Sequence, residues 1–440
     1  MKRIAIIGSG ISGLGAAYAL KDTADITVYE AGDRPGGHAH TMDIDYDGTP
    51  MAVDVGFIVY NALNYPNLIG FFDALGVKTE ASDMSFAVSN PDGYEWASTL
   101  NGIFAQRRNF FRPKFHTFWR TILKFNDLAR QELLAGKIDD VSLGSWLSKH
   151  GFEQDFLDNY ILPMGGAIWS TPEAEMLDYP ARSFFQFFEN HRLMHKERPK
   201  WRTVTGGSRN YVNKLATLLG DRLHLSAPVQ SITRFGDKVR VDVQNGPTSV
   251  FDEVIIATHS DTALSILDHT YENQRFLLRS VRYRPNTIYL HRDPNLMPNK
   301  KAAWASWNVI KQNTPEMCLT YWMNRLQNLP KDKPLFVTLN PETPPAPELT
   351  FATMEKAHPQ FDAPAEAAVR ALKRDQGKDH IWLSGAWMGS GFHEDGLKSG
   401  LSCALSLGGH VPWTAEGVEL ADSVTNAPKT DKVALGAIRS

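Results

Sequence analysis

The sequence predicts an α/β fold in which a Rossmann-type domain is combined with a mixed α+β domain. Three observations lead to this fold class. The chain has 440 residues, more than one hydrophobic core usually supports. Its first 30 residues read as strand, glycine loop, helix and strand. Beyond them, helix-like and strand-like segments occur in separate groups, which is typical of an α+β domain.

The composition describes an ordinary globular protein. Hydrophobic residues make up 42% of the chain and charged residues 22%, and the net charge of -3 indicates no general affinity for nucleic acid. Cys318 and Cys403 follow no metal-binding or disulfide spacing, so we expect no metal site and a reducing, cytoplasmic location. No apolar run reaches the ~18–20 residues of a membrane span, and the apolar run at the N-terminus is too short for a signal peptide.

The first element is the apolar run Ile4–Ile7, which predicts a strand. It is followed by Gly8-Ser9-Gly10-Ile11-Ser12-Gly13, which has the spacing G-x-G-x-x-G. Its glycines give a tight turn, bare backbone for a diphosphate and close helix–strand packing. The helix expected from Ser12 to Leu20 presents unpaired N–H groups and its positive dipole end to the phosphates. For this motif alone, a glycine turn without a ligand is the alternative.

The next element, Ile26–Glu30, closes a β-turn-α-β unit and favours the dinucleotide interpretation. It places a carboxylate, Glu30, ~20 residues beyond the glycine loop. A carboxylate in this place accepts hydrogen bonds from ribose hydroxyls and repels a 2'-phosphate. The sequence therefore predicts a dinucleotide site.

The remaining elements predict a discontinuous domain arrangement. Turn signals at Asp47-Gly48 and Pro91-Asp92-Gly93 indicate hairpins, and helical patterns dominate from Lys114 to His195. The later elements are expected to be strands at Val229–Thr233, Val239–Val243, Asp252–Ala257, Arg284–His291, Ala302–Asn308, Met317–Asn324, Leu335–Leu339 and Ile381–Gly385, and a helix at Leu397–Leu407. We assign 1–75, 200–265 and 380–425 to the dinucleotide-binding domain, 76–199 and 266–379 to a substrate domain with a helical insertion, and 426–440 to a tail.

The stretch Glu30–His38, which contains Gly36-Gly37, resembles the extended fingerprint of the amine-oxidase superfamily. This superfamily includes monoamine and polyamine oxidases, protoporphyrinogen oxidase and phytoene desaturases, and the resemblance implies FAD. We expect the FAD to be bound non-covalently. Adjacent glycines let a second backbone segment pass close to an extended FAD. An arginine commonly follows the pair, but this chain has His38, for which a packed or surface histidine is the alternative. Asp54-Val55-Gly56 and Val229 also resemble superfamily positions.

The C-terminal segment Ser390–Gly400, preceded by Ser384-Gly385-Ala386, resembles the last motif of the superfamily. The resemblance implies a helix whose N-terminus points at the flavin pyrimidine edge, where its dipole stabilises reduced flavin. Helix capping is the alternative role for Glu394 or Asp395. Together the motifs imply FAD contacts from Gly8, Gly10, Ile11, Ser12, Gly13, Glu30, Ala31, Gly36, Gly37, His38, Gly56, Phe57, Val229, Gly385, Phe392 and His393.

The substrate side indicates an apolar substrate. Amine oxidases place a lysine near flavin N5 from the strand that corresponds to Arg284–Leu290, and the absence of lysine there disfavours amine oxidation. Trp304–Asn308 and Tyr321–Asn324 carry large side chains, as do strands with one face on a cavity. Bacterial superfamily members that are similar in the Gly-His-Ala-His-Thr segment, which begins at Gly37, are associated with fatty acyl chain modification.

The segment between Trp96 and Asn126 contains no acidic residue. It alternates basic side chains with aromatic ones: Arg107, Arg108, Arg112, Lys114, Arg120 and Lys124 with Phe104, Phe110, Phe111, Phe115, Phe118 and Trp119. Such a segment is suited to an anionic membrane surface. A basic, partly buried helix of the substrate domain is one alternative, and nucleic-acid binding, disfavoured by the net charge, is another.

We therefore expect an FAD-dependent oxidoreductase that removes a hydride from an apolar, fatty-acyl or lipid substrate to flavin N5. His393 and Glu394 are the candidate general bases. No second glycine motif follows a strand, so the electrons are expected to leave to oxygen or another acceptor. An amine or porphyrinogen-type oxidase that produces hydrogen peroxide is one alternative, and a non-catalytic flavin-binding assembly or membrane-surface protein is another. The expected location is the cytoplasm, with peripheral contact at the inner face of the membrane.

Overall fold

The computed structural model describes residues 1–138 and 140–421, and the expected tail, 426–440, lies outside them. In chain order the strands are β1 (Arg3–Ile7), β2 (Asp25–Tyr29), β3 (Thr41–Tyr46), β4 (Thr49–Asp54), β5 (Val59–Asn61), β6 (Thr79–Ala81), β7 (Phe86–Ser89), β8 (Glu95–Ala97), β9 (Trp201–Val204), β10 (Leu223–His224), β11 (Val229–Phe235), β12 (Lys238–Val243), β13 (Thr248–Phe251), β14 (Glu253–Ile256), β15 (Tyr283–His291), β16 (Trp307–Ile310), β17 (Leu319–Trp322), β18 (Phe336–Leu339), β19 (Thr350–Pro359) and β20 (Ile381–Leu383).

The helices cover both faces of the first sheet and form the insertion between the sheets. In chain order they are α1 (Ile11–Leu20), α2 (Pro66–Leu75), α3 (Leu100–Ile103), α4 (Pro113–Leu134), α5 (Leu143–Lys149), α6 (Gln154–Phe156), α7 (Leu162–Trp169), α8 (Glu173–Met176), α9 (Ala181–Asn190), α10 (Arg209–Leu219), α11 (Ser260–Ile266), α12 (Glu272–Leu278), α13 (Met323–Leu326), α14 (Ala363–Arg374) and α15 (His393–Ser406). A 3₁₀ segment, Arg107–Phe111, joins α3 to α4.

A parallel sheet with the strand order β10-β2-β1-β14-β20 forms the base of the molecule. Ile4 and Ile6 of the central strand, and Val28 and Ile255 of its neighbours, are fully buried under the helices of one face, and the three-stranded sheet β11-β12-β13 packs on the other face together with α11. This explains why these strands read as continuous apolar runs. The sheet, together with the strand–glycine loop–helix unit at its centre, confirms the predicted α/β Rossmann-type fold.

A second, mostly antiparallel sheet has the strand order β19-β15-β18-β17-β16-β7-β8. Its longest pairing joins β15 and β19 and sets Asn286 opposite Lys356 and Arg284 opposite His358. The helices α3–α9 form an aromatic core beside this sheet, in which Phe125, Phe184 and Phe185 are fully buried. The mixed α+β part of the prediction is therefore confirmed, whereas the exact domain boundaries stay a prediction.

The local predictions differ from the structure in several places. The strand expected at Ala302–Asn308 begins only at Trp307, and a 3₁₀ turn, Lys301–Ala303, precedes it. The strand expected to reach Asn324 ends at Trp322, where α13 begins. The C-terminal helix begins at His393, not Leu397, because Asp395 Oδ2 accepts a hydrogen bond from the Phe392 N–H and caps the first turn. Among the described residues, no helix has both the length and the apolar character needed to cross a bilayer.

Candidate active site

The sequence motifs come together because they follow the carboxyl ends of parallel strands. Gly8 follows β1, Glu30 follows β2, His259 lies three residues beyond β14 and Gly385 lies two residues beyond β20. In open α/β sheets, ligands bind at this edge. The topology therefore gathers segments that are up to 377 residues apart in the chain.

The two glycine motifs form one backbone cradle. The Gly36 N–H donates a 2.9 Å hydrogen bond to the Ser9 carbonyl, which holds the second glycine pair against the first loop. A Cβ atom built on Gly37 would lie 3.2 Å from the Gly10 Cα atom. A Cβ atom built on Gly10 would meet nothing within 4 Å, so the backbone of this loop faces open space. Such bare backbone is what a diphosphate requires.

Glu30 is oriented by the same cradle. One carboxylate oxygen accepts hydrogen bonds from the Ser9 N–H at 2.9 Å and from the Ser9 hydroxyl at 2.5 Å, and the other accepts from the Gly32 N–H at 2.9 Å. The Glu30 carbonyl accepts a bond from the Ala227 N–H, which brings the half-buried Val229 to this end of the site, whereas Ala31 is exposed. The carboxylate is thus fixed where ribose hydroxyls are expected.

The C-terminal helix packs directly on the N-terminal one. A Cβ atom on Gly400 would lie 2.1 Å from the Ser12 carbonyl oxygen, so only glycine permits this contact between α1 and α15. A Cβ atom on Gly396 would lie 2.7 Å from the Ile11 side chain, so the first turns of both helices lie side by side. Two helix N-termini therefore point the positive ends of their dipoles into one region, which favours an anionic ligand.

These residues fit FAD. The first turn of α1 has neither an acidic residue nor a side-chain cap, so its N–H groups are available to phosphate. His38 Nε2 and Ser384 Oγ are buried and have no hydrogen-bond partner among the described residues. Buried polar atoms of this kind require a partner, and a bound dinucleotide with its ribityl chain can provide one. His38, Gly10 and Ser384 would hold the group, with Glu30 at the adenosine end.

His393 occupies the first turn of α15 and is held on two sides. Its ring stacks on Phe57 with centroids 3.8 Å apart and planes 7° apart. Its Nε2 atom shares a 2.7 Å hydrogen bond with the Tyr211 hydroxyl. Burial lowers the pKa of His393 to about 3, so the imidazole is neutral at physiological pH. Phe57 follows Gly56, and its N–H donates to the His38 carbonyl, which joins this pair to the glycine cradle.

Glu394 has a structural role in the described residues. Its carboxylate accepts bonds from the Asn67 N–H at 3.0 Å, the Asn67 Nδ2 atom at 2.8 Å and the Leu68 N–H at 2.9 Å. These donors lie at the start of α2, so Glu394 caps that helix from a distance, although burial raises its pKa. The contacts favour the capping alternative over a general base for Glu394, and the catalytic assignment of His393 stays a prediction.

His38 of the glycine cradle lies in a group with His259, which follows β14 of the first sheet, and with His358 and Lys356 of β19 in the second sheet. Sequence reasoning missed the last three. The His38 ring lies 6.0 Å from that of His259 and 5.8 Å from that of His358. Burial lowers the pKa of His358 to about 4 and holds that of His38 well below its usual range. Lys356, on the same strand face as His358, has its pKa lowered by burial to about 8. These segments thus bring neutral imidazoles and one cation, Lys356, to the site.

The other wall beside α15 is aromatic. Phe392 stacks on Phe187 of α9 at 4.9 Å, and His191 stacks on the same Phe187 ring at 3.8 Å. Burial lowers the pKa of His191 to about 4, so this ring is also uncharged. Trp307 and Tyr321, expected to line a cavity, lie half-buried between the aromatic core and the core beneath the second sheet. Phe184, Phe185 and Phe188 of α9 are fully buried in the aromatic core, and Phe187 of the same helix reaches the site.

Comparison with curated proteins gives related flavoenzymes. The chain is 23% identical over 321 residues to tryptophan 2-monooxygenase of Pseudomonas savastanoi, which covers 63% of this chain and 56% of that protein. It is 25% identical over 278 residues to the flavin-containing amine oxidase A of Sus scrofa, which covers 56% of this chain and 47% of that protein. The chain therefore spans about half the length of these relatives.

Solved structures share the fold. A putrescine oxidase bound to putrescine superposes with a TM-score of 0.67 at 18% identity and covers 92% of this chain and 98% of its own. The cyclohexylamine oxidase of Brevibacterium oxydans has the same TM-score and coverage at 16% identity. A fatty acid isomerase of P. acnes that produces CLA superposes with a TM-score of 0.63 at 15% identity, covering 91% and 97%.

The family model described as flavin containing amine oxidoreductase matches residues 11–290, which include the first helix of the cradle, Glu30, His38, Phe57 and Val229. The match extends over more than half of the chain, whereas Gly10, β19, Ser384 and α15 lie outside it. This chain is therefore a member of the flavin-containing amine oxidoreductase family, whose cofactor is FAD.

Proposed function

We propose that this oxidoreductase removes a hydride from a C–H bond of an apolar, fatty-acyl or lipid substrate. The observation that carries the proposal is the uncharged aromatic wall beside the first turn of α15. Phe392, Phe187 and His191 stack there, and the His191 imidazole is neutral at physiological pH. A wall of this kind gains free energy by removing apolar substrate surface from water.

The charges near the site are unsuited to an ammonium group. Glu394 uses its carboxylate to cap α2, and Asp395 caps its own helix. Both carboxylates in the first turn of α15 are therefore engaged in helix caps and are not free to pair with a substrate ammonium group.

The protein residues would orient and shield the reaction. When bound, FAD supplies the hydride acceptor, the flavin N5 atom. The N-terminus of α15 faces the site with its positive dipole end and stabilises negative charge that develops there. Tyr211 and Phe57 hold the His393 ring in one orientation. Phe187 and Phe392 would exclude water from the C–H bond that breaks.

The test is anaerobic reduction of the yellow holoprotein by defined compounds, followed through the flavin absorbance. We expect bleaching by a fatty acid or phospholipid fraction and none by putrescine, tryptamine or a porphyrinogen. Phe187→Ala should slow bleaching without loss of bound flavin, and Phe276→Ala, at a phenylalanine that is 70% exposed elsewhere, is the matched control. Bleaching by an amine, with hydrogen peroxide released in air, would refute the proposal and favour the amine-oxidase alternative.

We further propose a cytoplasmic protein that works at the inner face of the membrane. The support is the exposed surface formed by α3, the 3₁₀ segment and the start of α4, which contains no acidic residue.

A further inference from the structure

We infer that a defined surface of this protein docks on an anionic lipid bilayer. The surface, which we call the basic-aromatic patch, lies on α3, the 3₁₀ segment Arg107–Phe111 and the start of α4. Its apolar members are Leu100, Phe104, Phe110 and Phe111, and its basic members are Arg107, Arg108, Arg112 and Lys114. The inference does not depend on the identity of the substrate.

The apolar members are exposed together. Leu100 is 89% exposed, Phe110 58% and Phe111 84%. Single exposed apolar side chains are common, but here the rings touch, with Phe104 and Phe110 at 5.6 Å and Phe110 and Phe111 at 5.3 Å. Clusters of exposed apolar side chains that are rimmed by polar groups mark interaction sites.

The patch is anchored to the buried aromatic core. Phe104 contacts Phe115 at 5.7 Å, and Phe115 is buried with 3% exposure. On α4 the side chains of Phe118, Ile122 and Phe125 also point into the aromatic core. The partly buried helix and the membrane surface, the two interpretations of this segment, are therefore compatible, since one face of α4 is core and the chain before it remains exposed.

The basic members are not neutralised. Arg107, Arg108, Arg112 and Lys114 are all exposed, and none forms an ion pair with another described residue. Arg120 and Lys124 extend the same charge along the outer face of α4. Arg234, an exposed arginine elsewhere on the surface, pairs with Asp379 at 2.6 Å. Uncompensated basic groups beside exposed aromatic rings match the negative surface and apolar interior of an anionic bilayer.

A bilayer fits this surface better than a nucleic acid does. Phosphates would satisfy the arginines but would leave Leu100 in water. The rings of Phe110 and Phe111 meet at 79°, so they cannot both stack on consecutive bases. A bilayer takes up both groups, with rings and Leu100 at the acyl boundary and guanidinium groups at the headgroups.

The patch is also connected to the candidate active site. Phe125 of α4 contacts Phe185 of α9 at 5.8 Å, and Arg130 of α4 pairs with Glu189 of α9 at 3.2 Å. On the same helix, Phe187 stacks on Phe392. The packed helices α4 and α9 thus connect the two surfaces, since α4 begins at the basic-aromatic patch and α9 carries Phe187 of the aromatic wall.

The test is co-sedimentation of the holoprotein with vesicles of phosphatidylcholine, with and without phosphatidylglycerol. We expect binding that requires phosphatidylglycerol and weakens with salt. Arg107→Gln/Arg108→Gln/Arg112→Gln should lower the partition coefficient roughly 100-fold, since each charge is worth about fivefold. Phe110→Ser/Phe111→Ser should lower it on the order of tenfold or more.

Controls separate docking from folding. Phe235→Ser changes a phenylalanine that is 56% exposed on a surface where Arg234 is paired, and it should bind like the unaltered protein. Each variant must keep its bound flavin, which shows that it is folded. The inference would be overturned by equal binding to neutral and anionic vesicles or by unchanged binding of both patch variants. It would also be overturned if the patch formed a contact between two copies of the chain, or bound an oligonucleotide, in place of the vesicles. A failure in lipid oxidation assays leaves the sedimentation result unaffected, so the two proposals fail separately.

Discussion

Gly10→Ala should separate flavin binding from folding. The Gly10 backbone has φ -67° and ψ -177°, which alanine adopts without strain, and nothing lies within 4 Å of the added Cβ atom. Alanine at a helix N-cap costs about 1 kcal/mol at most relative to glycine. Its lower entropy in the unfolded chain offsets roughly 0.4–1 kcal/mol of this. We therefore expect the free energy of unfolding of the apoprotein to change by less than about 1 kcal/mol.

The same methyl group occupies space that a diphosphate needs. If it removes one charge-assisted hydrogen bond to phosphate, the binding free energy falls by about 1.5–3 kcal/mol. This corresponds to a Kd for FAD that is roughly 10 to 150 times higher. FAD titration of the apoprotein, followed by flavin fluorescence quenching, measures the change, and urea unfolding measures stability.

Gly400→Ala is the contrasting variant. Its Cβ atom would lie 2.1 Å from the Ser12 carbonyl oxygen, so α15 must move away from α1. Overpacking of this kind costs about 1–3 kcal/mol or more, so this variant should lose both stability and flavin affinity. An unchanged Kd for Gly10→Ala, or a loss of stability as large as that of Gly400→Ala, would refute the cradle assignment.

Three further predictions concern the cap, the substrate wall and pH. Glu394→Ala should lower the free energy of unfolding by about 2–4 kcal/mol, because the Asn67 and Leu68 donors lose their buried acceptor; a loss of turnover in Glu394→Gln with full stability would instead identify a base. Phe187→Ala should raise the substrate KM on the order of tenfold with unchanged flavin content, and an unchanged KM would remove Phe187 from the substrate wall. Burial lowers the pKa of His291 to about 4 in the folded state, whereas its unfolded value is 6.5. Between these two values the unfolded state binds a proton that the folded state does not, so the free energy of unfolding falls as the pH drops from 6.5 to 4. His291→Asn should flatten that slope in urea midpoints measured across this window, and an equally steep slope would contradict the assignment.

The FAD half of the site could be predicted because its geometry is local. Gly8–Gly13 and Gly36-Gly37 each specify a backbone path within a few residues, and Glu30 ends a strand whose place beside β1 follows from the short connection. The presence of helix α15 could be predicted, but its first turn could not, because the polar run His393–Asp395 hides the helical periodicity.

The rest of the site depends on pairing that no local pattern specifies. Strand β19 was missed because none of its residues Thr350–Pro359 is fully buried and its sequence shows no regular apolar alternation. The segment Arg284–Leu290 carries no lysine, yet the register of β15 and β19 brings Lys356 beside Asn286 on the same face, so the missing lysine does not bear on amine oxidation. The Glu394 cap is equally non-local, since its partner Asn67 is 327 residues away.

The contact between Gly400 and Ser12 has a consequence for biosynthesis. The first helix leaves the ribosome early, whereas its partner, α15, is made almost 400 residues later. At ~5–20 residues per second, β1 lacks its neighbour β14 for roughly 12–50 s and the closing helix α15 for roughly 20–80 s. Flavin can be captured firmly only after translation is nearly complete, so the cellular supply of FAD should determine how much of the newly made chain escapes aggregation and proteolysis.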